Sequence, residues 1–92
     1  MKITLSVNGY LSRFFGQSQY ELVLEEGSTL TELLFEIDSK FGAALPKSVW
    51  AHDKKRFRGP VSVSVGEEIV RDMAYPLQDG QQIAIARFLI GG

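Results

Sequence analysis

A chain of 92 residues makes one domain near the small end of what folds alone, able to bury roughly 60–65% of its unfolded surface around a single core. Its 45% apolar and 23% charged content is globular rather than disordered, and a net charge of −1 argues against a dedicated nucleic-acid binder. The absence of cysteine excludes disulfides, zinc–thiolate sites and a cysteine nucleophile.

The first stretch, "KITLSVN" at 2–8, alternates strictly and predicts a strand with Ile3, Leu5 and Val7 towards a core. Asn8-Gly9 could close a tight hairpin. The following "YLSRFFGQSQ" has no period of two, which favours a longer connection with a helical turn around Leu11–Phe15. "YELVL" at 20–24 alternates again and gives a second strand, with Tyr20, Leu22 and Leu24 on one side. Glu26-Gly27 breaks it. Thr29-x-x-Glu32 is then a capping-box pattern, and Leu30, Leu33, Leu34, Ile37 and Phe41 fall on one helical face. A helix over about 29–41 follows, with Lys40 favouring its last turn and Gly42 as the C-terminal stop.

Residues 42–60 show no sustained period and read as irregular, with a short helical or strand piece near Val49–Ala51. "VSVSV" at 61–65 is the cleanest strand, Gly66-Glu67-Glu68 a turn, and Ile69-Val70 a short return strand. "PLQDG" at 76–80 is a turn signature. In "QQIAIARFL" at 81–89, Ile83 and Ile85 share one face with Ala84 and Ala86 on the other, as suits a central strand covered on both sides. No repeat or low-complexity segment is present.

Strand, strand, helix, strand, short strand, strand must bury one helical face in a two-layer α+β domain. The simplest right-handed arrangement sets the last strand beside the first, in parallel, at the centre of the sheet. That is the ubiquitin-like β-grasp: a mixed sheet of four to five strands on one main helix. Residues 1–92 then form a single domain with a flexible Gly-Gly tail over about 87–92.

Little in the chain points to chemistry of its own. Neither G-x-x-x-x-G-K-[ST] nor G-x-G-x-x-G occurs. His52 is the only histidine; with Asp53 and Ser48 it makes a nominal triad that adjacent side chains do not assemble, so it reads as an exposed loop residue. One histidine without cysteine makes a transition-metal site improbable. Glu25-Glu26 and Glu67-Glu68 flank glycines and read as turn polarity rather than a general acid/base pair. Trp50 reads as a core plug, and Phe14-Phe15 as core or partner-facing.

The charges are segregated. Six acids and no base lie between Glu21 and Asp38, and four bases fall within Lys54–Arg58. Both runs read as solvated faces, with specific steering of a partner as the alternative. "KKRFR" resembles a single-stranded nucleic-acid surface in miniature, but the near-neutral charge and lack of a second basic patch turn that reading down. Docking to an acidic protein surface is its functional alternative. Strand-like sequence from Lys2 leaves no room for a signal peptide, and no apolar run approaches transmembrane length. The expectation is a cytoplasmic domain with no membrane or nucleic-acid partner.

The chain finishes "ARFLIGG". Frayed ends are usually polar, and Phe88-Leu89-Ile90 is not, so the tail has the look of something gripped by another molecule. Terminal Gly-Gly is weak by itself. Together with "LSRFFG", the helix after "EEGSTLTELL", "VSVGEEIV" and "LQDGQQIAIARF", it resembles the β-grasp sulfur carriers of the MoaD/ThiS type. That family includes the small subunit of molybdopterin synthase and the thiamine-biosynthesis carrier. Molybdopterin-type carriers commonly have Asp-Gly-Asp and prolines before the glycines; here Asp79-Gly80-Gln81 and Phe88-Leu89-Ile90 stand instead. The apolar tail leans to the thiamine type, the length and the segments at 10–19 and 42–60 to the molybdopterin type.

The resemblance implies a carrier, not an enzyme, whose Gly92 is the reacting residue. A ubiquitin-activating-like adenylyltransferase would supply the ATP site and adenylate Gly92, and a sulfur donor would leave a thiocarboxylate for a sulfur-accepting synthase subunit. Gly91 would thread a narrow channel, with Arg87, Phe88, Leu89 and Ile90 binding the partner; this chain itself would hold no cofactor and no metal. The expected pathway is molybdopterin or tungstopterin biosynthesis. The rivals are a thiamine-type carrier, a ubiquitin-like modifier joined through Gly92 to lysines, and a non-covalent interaction module.

Overall fold

The computed structural model describes residues 1–87. β1 (Lys2–Val7) leads through a 3-10 turn at Gly9–Leu11 into the single-turn helix α1 (Ser12–Phe15) and then β2 (Gln19–Val23). The main helix α2 (Leu30–Phe41) is followed by β3 (Trp50–Ala51), β4 (Arg56–Phe57), β5 (Val61–Val65), β6 (Glu68–Ile69) and β7 (Gln82–Arg87). The main sheet runs β2-β1-β7-β5-β6, and β3-β4 form a separate two-stranded ribbon. β7 lies parallel to β1, Leu5 opposite Ile83 and Val7 opposite Ile85, and antiparallel to β5. This is the β-grasp, with the last strand beside the first at the sheet's centre.

The hydrophobic pattern decides which face is covered. Ile3, Leu5, Leu22, Ile83 and Ile85 point to one side and are at most 2% exposed; they receive Leu30, Leu33, Leu34 and Ile37 from α2. Fully burying a side chain of this size is worth about 1.5–3 kcal/mol, which makes this layer contact the main favourable term of the fold. Phe41 closes one end of the stripe, its ring 4.7 Å from that of Phe15 and 4.8 Å from that of Tyr20. The opposite face carries Thr4, Ser6, Ser62, Ser64, Ala84 and Ala86, none of them buried. β7 is therefore covered from one side only. The alanines mark a face of small residues, not a second packed layer.

The capping box forms: Glu32 Oε2 accepts the Thr29 backbone N–H at 3.1 Å and also the Thr29 hydroxyl. These two bonds, the hydroxyl's first, hold the Glu32 carboxyl below the usual carboxylate range. Gly42 does end α2, but in the right-handed region (φ −53°) that any residue adopts. Its reason is space. A Cβ there would sit 2.8 Å from Asp38 Oδ1.

The segment at 42–60 is more ordered than its sequence suggests. A 3-10 turn over Gly42–Ala44 leads to the β3-β4 ribbon, in which Trp50 opposes Phe57 with their rings 4.8 Å apart. Trp50 is fully buried and donates from Nε1 to Asp38 Oδ1 at 2.9 Å, while Lys55 Nζ donates to Asp38 Oδ2 at 2.9 Å. The hydrogen bond from Lys55, then that from Trp50, pulls the Asp38 carboxyl below its ordinary range.

Candidate functional site

The site is the place where β7 leaves the sheet. β1 finishes two residues before β7 does: Val7 opposes Ile85, the Asn8 N–H reaches the Ile85 carbonyl at 3.0 Å, and the chain then turns at Gly9. Ala86 and Arg87 keep only the β5 partners Ser62 and Val61. The last two described residues of β7 therefore stand beside a gap that β1 has vacated, and a concavity of about 390 Å³ opens there between Asn8, Gly9, Tyr10, Ala86 and Arg87. Gly9 takes φ +52°, which a glycine adopts without the strain a side chain would bring.

One of the expected partner-binding residues can be placed. Arg87 is exposed, with its guanidinium carbon 5.1 Å from the centre of the Tyr10 ring. Arg13 lies over the same ring at 4.9 Å, and Phe14 meets it edge-on at 5.4 Å. Tyr10 itself is 46% exposed. Each such cation–ring contact is worth about 0.5–1 kcal/mol at an exposed site, enough to bias the Arg87 side chain without locking it. The result is a small cationic and aromatic surface at the root of the tail. Phe88, Leu89, Ile90, Gly91 and Gly92, the other residues singled out from the sequence, lie outside the described residues.

Tyr10 and Arg13 were not singled out from the sequence. The signal was present: Tyr10, Arg13 and Phe14 stand at spacings of three and four within the helical turn, where side chains meet. The other half, Arg87, is 77 residues away from Tyr10 and reaches it only through the parallel β1–β7 pairing.

The turn before β7 is held from both sides. Lys2 N–H donates to Asp79 Oδ1 at 2.6 Å, and Gly80 N–H donates to the Lys2 carbonyl at 2.8 Å. Gly80 sits at φ +84°. "LQDG" thus fastens the start of β7 to the start of β1 and fixes the register that carries Arg87 to its exit.

Of the remaining candidates, His52 is exposed, and its Nε2 lies 3.1 Å from the Leu45 carbonyl oxygen. Neither Ser48 nor Asp53 hydrogen-bonds to it among the described residues. The same residues contain no group of three or more His, Cys, Asp or Glu placed to hold a metal ion, and no helix long and apolar enough to cross a membrane. The basic run sits on the β3-β4 ribbon with Lys55 committed to Asp38.

A family model described as the ThiS family matches residues 5–92. No curated protein matches the chain in sequence. Among solved structures, the small archaeal modifier protein SAMP1 of Haloferax volcanii is 15% identical and superposes with a TM-score of 0.82, covering 100% of both chains. Urm1 of Trypanosoma brucei is 21% identical (TM-score 0.75), with 99% of this chain and 95% of that chain covered. A chain of the complex of subunits 1 and 2 of the molybdopterin-converting factor of Helicobacter pylori is 16% identical (TM-score 0.68), with 100% of each covered. At these identities the likeness is one of fold.

Proposed function

The chain belongs to the ThiS family of β-grasp sulfur carriers, and on that premise we propose that Gly92 is the reacting end of a carrier protein. One observation supports this above the rest: β7 is paired on both sides at the centre of the sheet and delivers the chain at Arg87 beside an open concavity. The chain reaches Arg87 at a point and in a direction that the sheet fixes.

A free carboxylate is a poor electrophile. In the proposed cycle its oxygen attacks the α-phosphorus of ATP held by a ubiquitin-activating-like partner, pyrophosphate leaves, and an acyl-adenylate forms. A donor of sulfur at the oxidation level of sulfide then attacks the acyl carbon and AMP departs. The thiocarboxylate that remains passes its sulfur to a synthase subunit, and the pathway this reading favours is molybdopterin or tungstopterin biosynthesis. Gly91 and Gly92 suit a channel too narrow for a β-carbon. Phe88, Leu89 and Ile90 bury apolar surface in the partner, and Arg87 pairs with an acidic or phosphate group. The chain is a cosubstrate, and the nucleotide site belongs to its partner. The complex of the two molybdopterin-converting-factor subunits is a precedent, in the same fold, for a partner of the synthase kind.

The test is intact mass after incubation with the activating enzyme, ATP and a sulfide donor. Replacement of one oxygen by sulfur is expected in the full chain and not after deletion of Gly92; conversion of the truncated chain would overturn the proposal. The likeness to SAMP1 and Urm1 gives the modifier reading its place. Covalent ladders in cell extract that vanish on Gly92 deletion would favour it over the carrier.

A further inference from the structure

The acid-only run from Glu21 to Asp38 has no part in the chemistry of the tail, and the fold gathers most of it at one rim of the sheet. β2 is an edge strand. Leu24 and Met1 exchange backbone hydrogen bonds, Leu24 N–H to the Met1 carbonyl at 2.9 Å and the Met1 amino group to the Leu24 carbonyl at 2.7 Å. Bonded and non-bonded pairs alternate along an antiparallel ladder, so Ile3–Leu22 and Leu5–Tyr20 are the next bonded pairs. The N–H and C=O groups of Gln19, Glu21 and Val23 therefore point away from the sheet. No loop or helix among the described residues bonds to them.

Beside this open edge, a groove of about 290 Å³ runs between β2 and α2, lined in part by Val23, Leu24, Ser28 and Phe35. Val23 is 73% exposed and Phe35 53%, two of the four large apolar side chains left exposed among the described residues. Glu25, Glu32 and Glu36 also line the groove, and Glu21 and Glu26 stand just outside it. The nearby cations are few. Lys2 lies opposite Val23, the amino terminus is 3.8 Å from Glu26, and Lys40 is 3.6 Å from Glu36.

An exposed, apolar sheet edge is ordinarily a liability for self-association, which natural sheets blunt with charge. Here the charge is of one sign. Two copies pairing through β2 would bring Glu21, Glu25 and Glu26 of each against the other, which like-charge repulsion opposes. The same rim attracts a basic strand. We infer that β2 receives an extended segment of another protein that alternates apolar and basic residues, adding a further strand to the sheet. The outward N–H and C=O groups of Glu21 and Val23 supply the ladder, Phe35 the apolar contact on the α2 side of the added strand, and Glu21, on the opposite face beside Val23, the preference for arginine or lysine. This surface is separate from Arg87 and does not rest on the chemistry of Gly92.

The test is amide NMR on the full chain, titrated with a short peptide alternating valine and arginine. Saturable shifts are expected at Gln19, Glu21 and Val23, and not with the matching valine–glutamate peptide. Val23→Pro removes an outward-pointing N–H together with the exposed valine side chain, leaves the bonds to β1 untouched, and should weaken binding about tenfold with the fold intact. Glu21→Lys with Glu25→Lys should exchange the preference, losing the arginine peptide and gaining the glutamate one. Deletion of Gly92 should leave binding unchanged, which keeps this test apart from that of the tail. Shifts centred elsewhere, no saturable shift, equal response to both peptides, or dimerisation through β2 would each overturn the inference.

Discussion

The indole of Trp50 is tied to Asp38, twelve residues earlier, by a 2.9 Å hydrogen bond made where the ring is fully buried. This bond and that from Lys55 join the β3-β4 ribbon to the last turns of α2. Asp38→Ala would leave the buried N–H unpaired, a loss of about 1–3 kcal/mol. Thermal unfolding should show it as a fall of roughly 4–8 °C per kcal/mol in a domain of this size.

Gly42 and Asp38 should be coupled. The backbone at Gly42 tolerates any residue, so alanine there would ordinarily stabilise by about 0.4–1 kcal/mol through the unfolded chain. With Asp38 present, the new Cβ meets Oδ1, which Trp50 keeps from moving aside. Gly42→Ala is expected to destabilise the parent and stabilise the Asp38→Ala background. Urea unfolding of the four proteins of this cycle measures the change of sign.

Acid should weaken the fold through the same carboxyl. Asp38 and Glu32 both titrate below ordinary carboxylates when folded, so the unfolded chain binds more protons as pH falls. Their contribution is complete above the ordinary carboxylate range and is lost as pH drops through it towards the depressed folded values. Unfolding followed against pH should show a shallower acid limb for Asp38→Asn than for the parent.

Asp79 anchors the turn before β7 through Lys2 N–H. Asp79→Ala should cost about 1 kcal/mol, seen as a lower urea midpoint with an unchanged slope.

Arg87 offers a functional readout. Arg87→Ala removes one of two cations over Tyr10, so stability should shift by no more than about 1 kcal/mol. Affinity for the activating partner, measured by calorimetry, should fall roughly 5- to 30-fold, with Arg87→Lys in between.

What the sequence disclosed depended on how local its cause was. The strands of "KITLSVN" and "VSVSV", the capping box at Thr29 and the helix stripe all act within a few residues, and each formed where the pattern placed it. The ribbon at 50–57 was half legible, as a strand piece near Val49–Ala51, because its order comes from Trp50 reaching back to Asp38 rather than from any period. Gly42 was recognised as a stop, but its cause lay in the Asp38 side chain and not in backbone handedness. The small-residue face of β7 has the pattern of a doubly covered strand, and alternation alone cannot tell alanines that meet a second layer from alanines beside serines at an open face. At the tail, Arg87 could be picked out but its aromatic neighbours could not, since Tyr10 joins it only once β1 and β7 are aligned.

The central position of β7 also decides how the molecule bears a mechanical load. Against a load applied at Arg87 along the strand axis, the register pairs of β7, four with β1 and five with β5, would resist together in shear. Separating them one at a time would take a force across the strands, which such a load does not supply. β6, held at the rim by two pairs, has no such protection. Forced unfolding is governed by the unfolding barrier rather than by equilibrium stability. A small fold can therefore remain intact under a load applied along its central strand.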